Sequence, residues 1–266
     1  MQSGEQLKAQ REWIEKNERK GWIRKSKSPF GAPHFSVPKP HAPKKYRCVT
    51  DYRRLNNKTI KNRYPLPNIK EARDRLTRAT WFSKLDLRDA FYAIRMKEGE
   101  EYKTAFRTRY GLYEYTVMPQ GFTNSPAFCQ QMINDVLRDL LDITILAYID
   151  DILIFTTGTL EQHVRDVQEV FKRLATTSFK TAPEKCEFHK KRVKFLGHII
   201  STEGVEIDPE KVKAILEWPT PQNLKDVQSF LGLANYNRDS IEGYSKHSEP
   251  LTRLTRGNVP FKWDSD

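Results

Sequence analysis

The stretch Ile143–Thr156 limits the possible folds of this chain more than any other segment. Two short runs of β-forming residues, Thr144–Tyr148 and Ile152–Thr156, flank the adjacent carboxylates Asp150 and Asp151. Apolar runs of this length, broken by a polar pair, are typical of a β-hairpin with the pair at its turn. We therefore predict a hairpin that presents two neighbouring aspartates at one end.

A pair of carboxylates on a tight turn needs a nearby cation, because like charges at this distance repel each other. Carboxylate oxygens with no His or Cys close by favour Mg²⁺ or Mn²⁺ over zinc. A third acid, Asp86, ends another short strand pattern, Trp81–Leu87, 64 residues before Asp150. If folding joins the three acids, two metal ions could activate an attacking hydroxyl and stabilise a leaving phosphate oxygen. The alternative is a solvated turn with no chemical role.

These acids lie within a series of motifs that resembles a known family. YIDD at Tyr148–Asp151 resembles the YxDD box of reverse transcriptases, and LDLRDAFYAIRM at Leu85–Met96 resembles their first catalytic motif. Three other segments match in the expected order, namely Tyr46–Asn56, Met118–Met132 and Lys194–Ser201. From about Gly21 to Trp263 the chain is similar to the reverse transcriptases of gypsy-class LTR retrotransposons, which are retroviral-type RNA-dependent DNA polymerases.

The resemblance implies an α+β fold of the right-hand polymerase type, with fingers, a palm built on an antiparallel sheet, and a helical thumb. The implied divisions are fingers with an N-terminal basic helix (1–80), palm (81–118), a helix region between fingers and palm (119–142), palm with the catalytic hairpin and primer grip (143–204), and thumb (205–266). Neither a ribonuclease H domain nor an integrase domain is expected within this sequence.

The resemblance also assigns roles to individual residues. Asp86, Asp150 and Asp151 would be catalytic and, with the backbone carbonyl of Leu87, would bind two Mg²⁺ ions, for which Mn²⁺ is an alternative. The incoming dNTP would contact Lys39, Arg47, Asp89, Ala90, Phe91 and Gln120. The primer and template would contact Tyr148, Gly121, Leu196 and Gly197.

Several of these assignments compete with a purely structural role. Phe91 would exclude ribonucleotides, because a ring beneath the sugar leaves no space for a 2′-hydroxyl, but it could also be a core residue. Lys39 and Arg47 would stabilise the triphosphate, or they are solvated surface cations. Gly197 would grip the primer, or it is an ordinary bulge in a strand predicted over Lys194–Ile200.

Local patterns predict the elements around these motifs. A charged helix is predicted over residues 5–20, ended by Gly21. Strands are predicted over His34–Pro38 and Tyr46–Asp51, joined by the loop Lys39–Lys45. Two short helices of the thumb are predicted to begin at Asp208 and Asn223.

Another helix is predicted to begin at Ser125, whose hydroxyl would cap it while Pro126 takes the first helical position. Its apolar side chains follow one another at helical spacing and are expected to form core. They are Phe128, Met132, Ile133, Val136, Leu137 and Leu140.

The net charge of +12 is concentrated near the N-terminus. Residues 1–62 contain 16 Lys or Arg and 5 Asp or Glu, whereas the remaining residues are almost balanced. Aromatic residues alternate with these charges, so an electropositive, folded front end that meets phosphates is expected. The three cysteines have no paired spacing and no apolar stretch approaches a membrane span, so a reducing intracellular setting is expected.

The sequence therefore predicts an enzyme that synthesises DNA on an RNA or DNA template by two-metal-ion nucleotidyl transfer. A template–primer duplex and dNTPs are the expected partners, and no membrane is expected. A second copy of the chain, or adjoining ribonuclease H and integrase domains, are further partners left open. The expected location is intracellular, in a cytoplasmic particle and/or the nucleus.

Two other function classes remain. One is a non-enzymatic protein that keeps the polymerase fold and only binds nucleic acid; departures from the family pattern at Asn237–Ser240 favour it, and the intact acids oppose it. The other is an RNA-dependent RNA polymerase, which an aromatic residue at position 91 disfavours. PQGF at Pro119–Phe122, where gypsy-class elements more often have PFGL, is closer to retroviral enzymes.

Overall fold

The computed structural model of the protein describes residues 3–40, 42–68, 71–236, 238, 241–256 and 261–263. The chain divides into two compact units, the first formed by residues 1–72 and 79–190 and the second by residues 73–78 and 191–266. Among the helices of the described residues, none combines the length and the apolarity needed to cross a bilayer.

Helices and strands are mixed along the described residues. The α-helices are α1 (Gly4–Arg19), α2 (Arg53–Lys58), α3 (Arg73–Arg78), α4 (Ser125–Val136), α5 (Leu160–Ala175), α6 (Pro209–Leu216), α7 (Leu224–Tyr236) and α8 (Tyr244–Leu254). The strands are β1 (Ile23–Lys25), β2 (Ala32–Lys39), β3 (Ala42–Thr50), β4 (Trp81–Arg88), β5 (Phe106–Thr108), β6 (Gly111–Tyr115), β7 (Ile145–Tyr148), β8 (Asp151–Thr156), β9 (Lys180–Thr181), β10 (Glu187–Lys190), β11 (Arg192–Phe195), β12 (His198–Ser201) and β13 (Gly204–Ile207).

The first unit contains a five-stranded sheet in the order β1-β6-β5-β2-β3, on which α1 packs. Its core is largely aromatic. The ring of His34 lies 4.7 Å from the rings of both Trp13 and Phe106, and Phe106 lies 5.0 Å from Tyr115. Burial lowers the pKa of His34 to about 4, so this imidazole is neutral at physiological pH and belongs to the core.

The predicted N-terminal helix is confirmed as α1. Ser3 caps it: the Ser3 hydroxyl accepts from the Gln6 amide while the Gln6 side chain accepts from the Ser3 amide, which satisfies two backbone donors of the first turn. Gly21 follows the helix with a φ of 69°, a conformation that glycine adopts without steric cost.

The predicted loop Lys39–Lys45 is wrong in part, because β3 begins at Ala42 and continues the pairing with β2 almost to its end. The register shifts between Pro38 and Lys39. A proline cannot donate to the ladder, so an irregularity beside one is the expected way for two strands to stay paired. His41 lies outside the described residues.

The second sheet of this unit has the order β10-β4-β8-β7, with β9 pairing the far end of β4. One face of β4 and β8 is fully buried under α4 and α5. This core includes Leu85, Leu87, Ile145, Ala147, Ile152, Ile154, Ile133, Leu137, Val167, Val170 and Leu174. Alternation along each strand sets this apolar face and aims the neighbouring residues, among them Asp86 and Asp151, to the other face.

Two details of α4 differ from the sequence-based expectation. The N-cap position is Asn124, and the Ser125 hydroxyl instead donates to the Pro119 carbonyl at 3.0 Å. Ile133 and Leu137 are buried as expected, but Phe128 is 46% exposed and Met132 is 39% exposed. Helical spacing identifies which residues share a face of α4. Only part of that face is covered by the rest of the protein, so Phe128 and Met132 at its margin remain exposed.

The second unit contains a three-stranded antiparallel sheet in the order β11-β12-β13. The short helix α3, which comes from the upstream segment 73–78, packs on β12 and β13. Helices α6 and α7 begin where expected, because the side chains of Asp208 and Asn223 accept from backbone amides of the first turns. Helix α8 packs on α7 and was not predicted.

The predicted strand over Lys194–Ile200 is wrong. Strand β11 ends at Phe195, Leu196 and Gly197 form a two-residue turn, and β12 begins at His198. The reason is the backbone: Leu196 and Gly197 have φ values of 48° and 72°, and positive φ at both central residues is what a type I′ hairpin turn requires.

The sequence departure at Asn237–Ser240 lies outside the described residues except for Arg238. It therefore stays a sequence observation.

Candidate active site

The turn between β7 and β8 confirms the predicted hairpin. Tyr148 pairs with Asp151, which leaves Ile149 and Asp150 as the two central residues. Ile149 has a φ of 55°, although this position of such a turn usually holds glycine. A β-branched residue in the left-handed region is strained, and such strain persists only where surrounding contacts fix it.

Gln130 on α4 supplies those contacts. Its side-chain oxygen accepts from the Ile149 amide at 2.8 Å, and its amide donates to the Ala147 carbonyl at 2.8 Å. Gln130 is fully buried and also donates to Asn134 at 2.8 Å. The buried amide therefore holds the strained turn from the helix behind it.

The strand register closes the 64-residue gap between the predicted acids. Asp86 on β4 is the cross-strand partner of Asp151 on β8, and Asp151 is in turn the partner of Tyr148 on β7. Residues that face each other across an antiparallel pair lie on the same face of the sheet. The Leu87 amide donates to the Asp150 carbonyl at 2.7 Å, which brings the turn itself against β4.

Two lysines lie against these acids. The Lys185 Nζ is 3.2 Å from both carboxylate oxygens of Asp86, and the Lys84 Nζ is 3.2 Å from Asp151 Oδ1. The hydrogen bond to Asp86 and the charges of Asp86 and Asp150 raise the pKa of Lys185. Lys84 reaches Asp151 because it lies two residues before Asp86 on the same face of β4.

The surroundings of Asp150 disfavour its charged form, whereas those of Lys185 favour its charged form. The Asp150 carboxyl loses part of its hydration at the turn and lies near the charges of Asp151 and Asp86, and both effects raise its pKa. A carboxyl whose charge is costly in this way gains more than an isolated one from an added cation.

No three His, Cys, Asp or Glu side chains in the described part of the chain converge as a ready-made metal site. Lys185 and Lys84 take the place of external cations at Asp86 and Asp151. The donor set nevertheless fits a hard divalent ion, since it consists of the carboxylate oxygens of Asp86, Asp150 and Asp151, with no nitrogen or sulfur ligand.

The residues expected at the nucleotide follow β4 directly. Asp89 has a φ of 52°, and its carboxylate is 3.7 Å from the Lys20 ammonium. Ala90 is buried at the start of a 3₁₀ turn, Ala90–Ala93. Phe91 is half-buried and packs against the core beneath the sheet, so its ring has a structural role whether or not it also contacts a sugar.

Gln120 and Gly121 lie in the exposed loop before α4. Asn56 holds this loop: its amide donates to the Gly121 carbonyl at 2.8 Å, and its oxygen accepts from the Thr123 amide at 2.9 Å. Gly121 has a φ of 97° and lies against the backbone of Thr50, so a side chain there would be strained.

The structure does not test four other predicted residues against the acids. Lys39 and Arg47 are exposed on the hairpin β2–β3, and within the described residues neither makes a hydrogen bond or ion pair with Asp86, Asp150 or Asp151. Leu196 and Gly197 belong to the second unit. Their roles stay predictions.

Sequence reasoning missed the supporting residues. Gln130 had a signal, because it is a polar residue three and seven positions before the buried Ile133 and Leu137. Lys84 could also have been identified, because the period of two along β4 places it on the same face as Asp86. Lys185 had no such signal, since only the fold brings it to Asp86.

An antiparallel sheet of four strands, backed by two helices and carrying acids at the bend of its β7–β8 hairpin, defines a right-hand nucleic-acid polymerase. Residues 37–200 match the family model described as reverse transcriptase (RNA-dependent DNA polymerase). The chain belongs to this family, as the sequence motifs predicted.

Related proteins come from LTR transposons. The chain is 45% identical over 235 residues to the retrovirus-related Pol polyprotein from transposon 297 of Drosophila melanogaster, covering 87% of this chain and 22% of that protein. It is 37% identical over 257 residues to the transposon Tf2-3 polyprotein of Schizosaccharomyces pombe, covering 97% of this chain and 19% of that protein. The chain thus spans about a fifth of these relatives, and the gypsy class is consistent with them.

Solved structures confirm the predicted α+β polymerase fold. The foamy viral protease-reverse transcriptase in complex with double-stranded DNA superposes with a TM-score of 0.87 at 29% identity, over 99% of this chain and 46% of that one. The same viral protein in complex with an RNA/DNA hybrid gives a TM-score of 0.80 at 28% identity, over 97% of this chain and 35% of that one.

Proposed function

We propose that this chain is the polymerase portion of an LTR-retrotransposon polyprotein and makes DNA from dNTPs on RNA or DNA templates. The observation that carries this proposal is the placement of Asp86 opposite Asp151, with Asp150 in the adjoining turn. Family membership and the nucleic-acid complexes of the foamy viral proteins support it.

Asp86, Asp150 and Asp151, with the backbone carbonyl of Leu87, would hold two divalent ions, Mg²⁺ or Mn²⁺. When bound, such ions make the attacking hydroxyl more nucleophilic and neutralise charge on the leaving phosphate oxygens. When the ions bind, Lys185 and Lys84 would leave the carboxylates and pair with other anions. Each ammonium lies 3.2 Å from carboxylate oxygens that the ions would use. Desolvation and the nearby charges of Asp151 and Asp86 raise the pKa of Asp150, and a bound cation would offset both effects.

The other assigned residues would position substrates around these acids. Lys39 and Arg47 would meet the triphosphate, and Asp89, Ala90 and Gln120 would line its site. Phe91 would lie beneath the sugar and exclude a 2′-hydroxyl. Tyr148, Gly121, Leu196 and Gly197 would contact primer and template. Contacts to phosphates and duplex shape carry no base information, so the template sequence should matter little.

The setting of this activity is part of the proposal. An intracellular location, in a cytoplasmic particle and/or the nucleus, fits a protein that copies a transposon genome. Partners would be the template–primer duplex and dNTPs, together with a second copy of the chain or the adjoining ribonuclease H and integrase domains.

A primer-extension assay tests the proposal. RNA and DNA templates are each offered with dNTPs or rNTPs, and duplex binding is measured alongside. We expect extension on both templates with dNTPs only. Asp150→Asn should abolish incorporation while duplex affinity and thermal stability stay at or above the wild-type level, because the substitution removes a charge that the turn disfavours.

Each other outcome has a clear meaning. Duplex binding without extension by the wild-type chain would identify a non-enzymatic binding protein. Efficient use of rNTPs would identify an RNA polymerase. Near-normal extension by the Asp150→Asn variant would remove Asp150 from the metal site.

A further inference from the structure

The tip of the β11–β12 hairpin is bound to the start of helix α6. Phe195 pairs with His198 across the turn. The Asp208 amide donates to the Gly197 carbonyl at 3.2 Å, and the Asp208 carboxylate then caps α6 by accepting from the Glu210 amide at 3.1 Å. The turn and the first residues of α6 therefore form one local structure within the second unit.

Lys211 lies across Gly197 in this structure. A Cβ added to Gly197 would collide with the end of the Lys211 side chain, at its Cε and Nζ atoms. The space that glycine leaves empty is thus taken by an ammonium group from the neighbouring helix. A type I′ turn accepts Asn or Asp as well as Gly, so the turn conformation alone does not account for the absence of a side chain here.

Charged groups at the start of α6 surround Lys211. Lys194 forms an ion pair with Asp208 at 2.6 Å and another with Glu210, both in the first turn of α6. Burial and the charge of Lys194 lower the pKa of Lys211, while Asp208 acts in the opposite direction. A partly desolvated ammonium interacts more strongly with an anion than a solvated one does.

We propose that Lys211 contacts a backbone phosphate of the bound primer–template duplex, and that Gly197 serves this contact by leaving room for the Lys211 side chain. The inference rests on the proposed function, which places Leu196 and Gly197 at the primer. It differs from the simpler idea that Gly197 lets the nucleic-acid backbone itself approach closely. In the proposed arrangement, Lys211 is the binding residue and Gly197 is a positioning residue.

The first test compares Lys211→Met with Lys213→Met. Lys213 lies two residues further along α6, has a side chain that is 71% exposed, and pairs with Glu217 at 3.7 Å. Duplex affinity is measured by fluorescence anisotropy over a series of salt concentrations. Loss of one phosphate contact should reduce the slope of log affinity against log salt by about 0.9, and weaken binding about eightfold at about 0.1 M salt. Lys213→Met should change neither.

The second test uses Gly197→Asn, because Asn tolerates a positive φ and adds a side chain where Lys211 lies. This variant should show the same reduction in the slope of log affinity against log salt as Lys211→Met. The double variant should show a reduction no larger than that of either single variant. Thermal unfolding of each variant checks that the hairpin is retained. Lys211→Arg should keep most of the wild-type slope, since it keeps the charge.

The outcomes separate this inference from the proposed function. A wild-type chain that fails to bind the duplex or to extend a primer contradicts the proposed function. A wild-type chain that does both, with Lys211→Met indistinguishable from Lys213→Met, overturns the inference alone. Additive losses in the double variant would show that nucleic acid itself needs the space at Gly197, which also overturns the inference.

Discussion

At the scale of single residues, the shape of the β7–β8 hairpin depends on one buried amide. Ile149 adopts a positive φ that its own side chain disfavours, and Gln130 fixes it through hydrogen bonds to Ile149 and Ala147. The position of Asp150 is therefore set by a residue that carries no charge and lies 20 positions earlier in the chain. Activity should be sensitive to Gln130 even though its side chain is fully buried.

We predict that Gln130→Leu lowers both stability and the rate of nucleotide incorporation. The Ile149 amide and the Ala147 carbonyl would each lose a partner, which costs about 1–3 kcal/mol per buried group. Relaxation of the turn would displace Asp150, and a displacement of about 1 Å can cost about 100-fold in rate. Chemical denaturation and single-nucleotide extension measure the two effects.

Gln131→Leu is the matched control, because Gln131 is the next residue of α4 and is only half-buried. Equal extension rates for the two variants would show that the turn keeps its shape without Gln130.

At the scale of elements, helix α5 is attached to the sheet by a buried polar network as well as by its apolar stripe. The His163 ring lies 2.8 Å from the hydroxyls of Ser83 on β4 and Thr156 on β8. Thr156 also donates to Asp166 at 2.5 Å, and Ser83 accepts from the His189 amide at 3.0 Å. The two nitrogens of a single histidine on α5 thus tie the helix to β4 and β8, and Ser83 extends the network to His189 on β10.

We expect His163→Leu to destabilise the first unit. Two buried hydroxyls would lose the imidazole as a partner, at roughly 1–3 kcal/mol for each. The free energy of unfolding in urea measures the loss. His247→Leu on α8 serves as the control, because that histidine is exposed and its replacement should leave stability within about 0.5 kcal/mol. A similar stability for the two variants would contradict the structural importance of the network.

How far sequence could predict these elements depended on where the decisive contacts lie. The hairpin around Asp150 was predictable because the residues that form it, two β-forming runs and the polar pair between them, are neighbours in the sequence. The tip at Leu196 and Gly197 was not, since a leucine with positive φ has no sequence signature. The exposure of Phe128 and Met132, and the approach of Lys185 to Asp86, depend on what other segments cover, and a local pattern does not contain that information.

At the scale of the whole molecule, charge is distributed unequally along the chain. Residues 1–62 carry 16 Lys or Arg and 5 Asp or Glu, and the structure places them in the same compact unit as the three acids. An excess of positive charge attracts nucleic acid through its phosphates, with little dependence on sequence.

We therefore predict that affinity for a duplex falls steeply with salt but hardly changes with base sequence. Duplexes of equal length and unrelated sequence should bind within about threefold of one another, while affinity should fall at least tenfold between about 50 mM and 200 mM salt. Competition binding measures both quantities. Strong preference for one sequence, or little response to salt, would indicate base-specific contacts instead.

The small helix α3 has a consequence for engineering this protein. It comes from residues 73–78, yet it packs on β12 and β13 of the second unit, and its Leu76 is completely buried. The polypeptide therefore enters the second unit, returns to the first, and enters the second again. A chimaera that exchanges residues 191–266 with a homologue replaces only part of that unit, and must carry the matching six-residue helix to keep the interface intact.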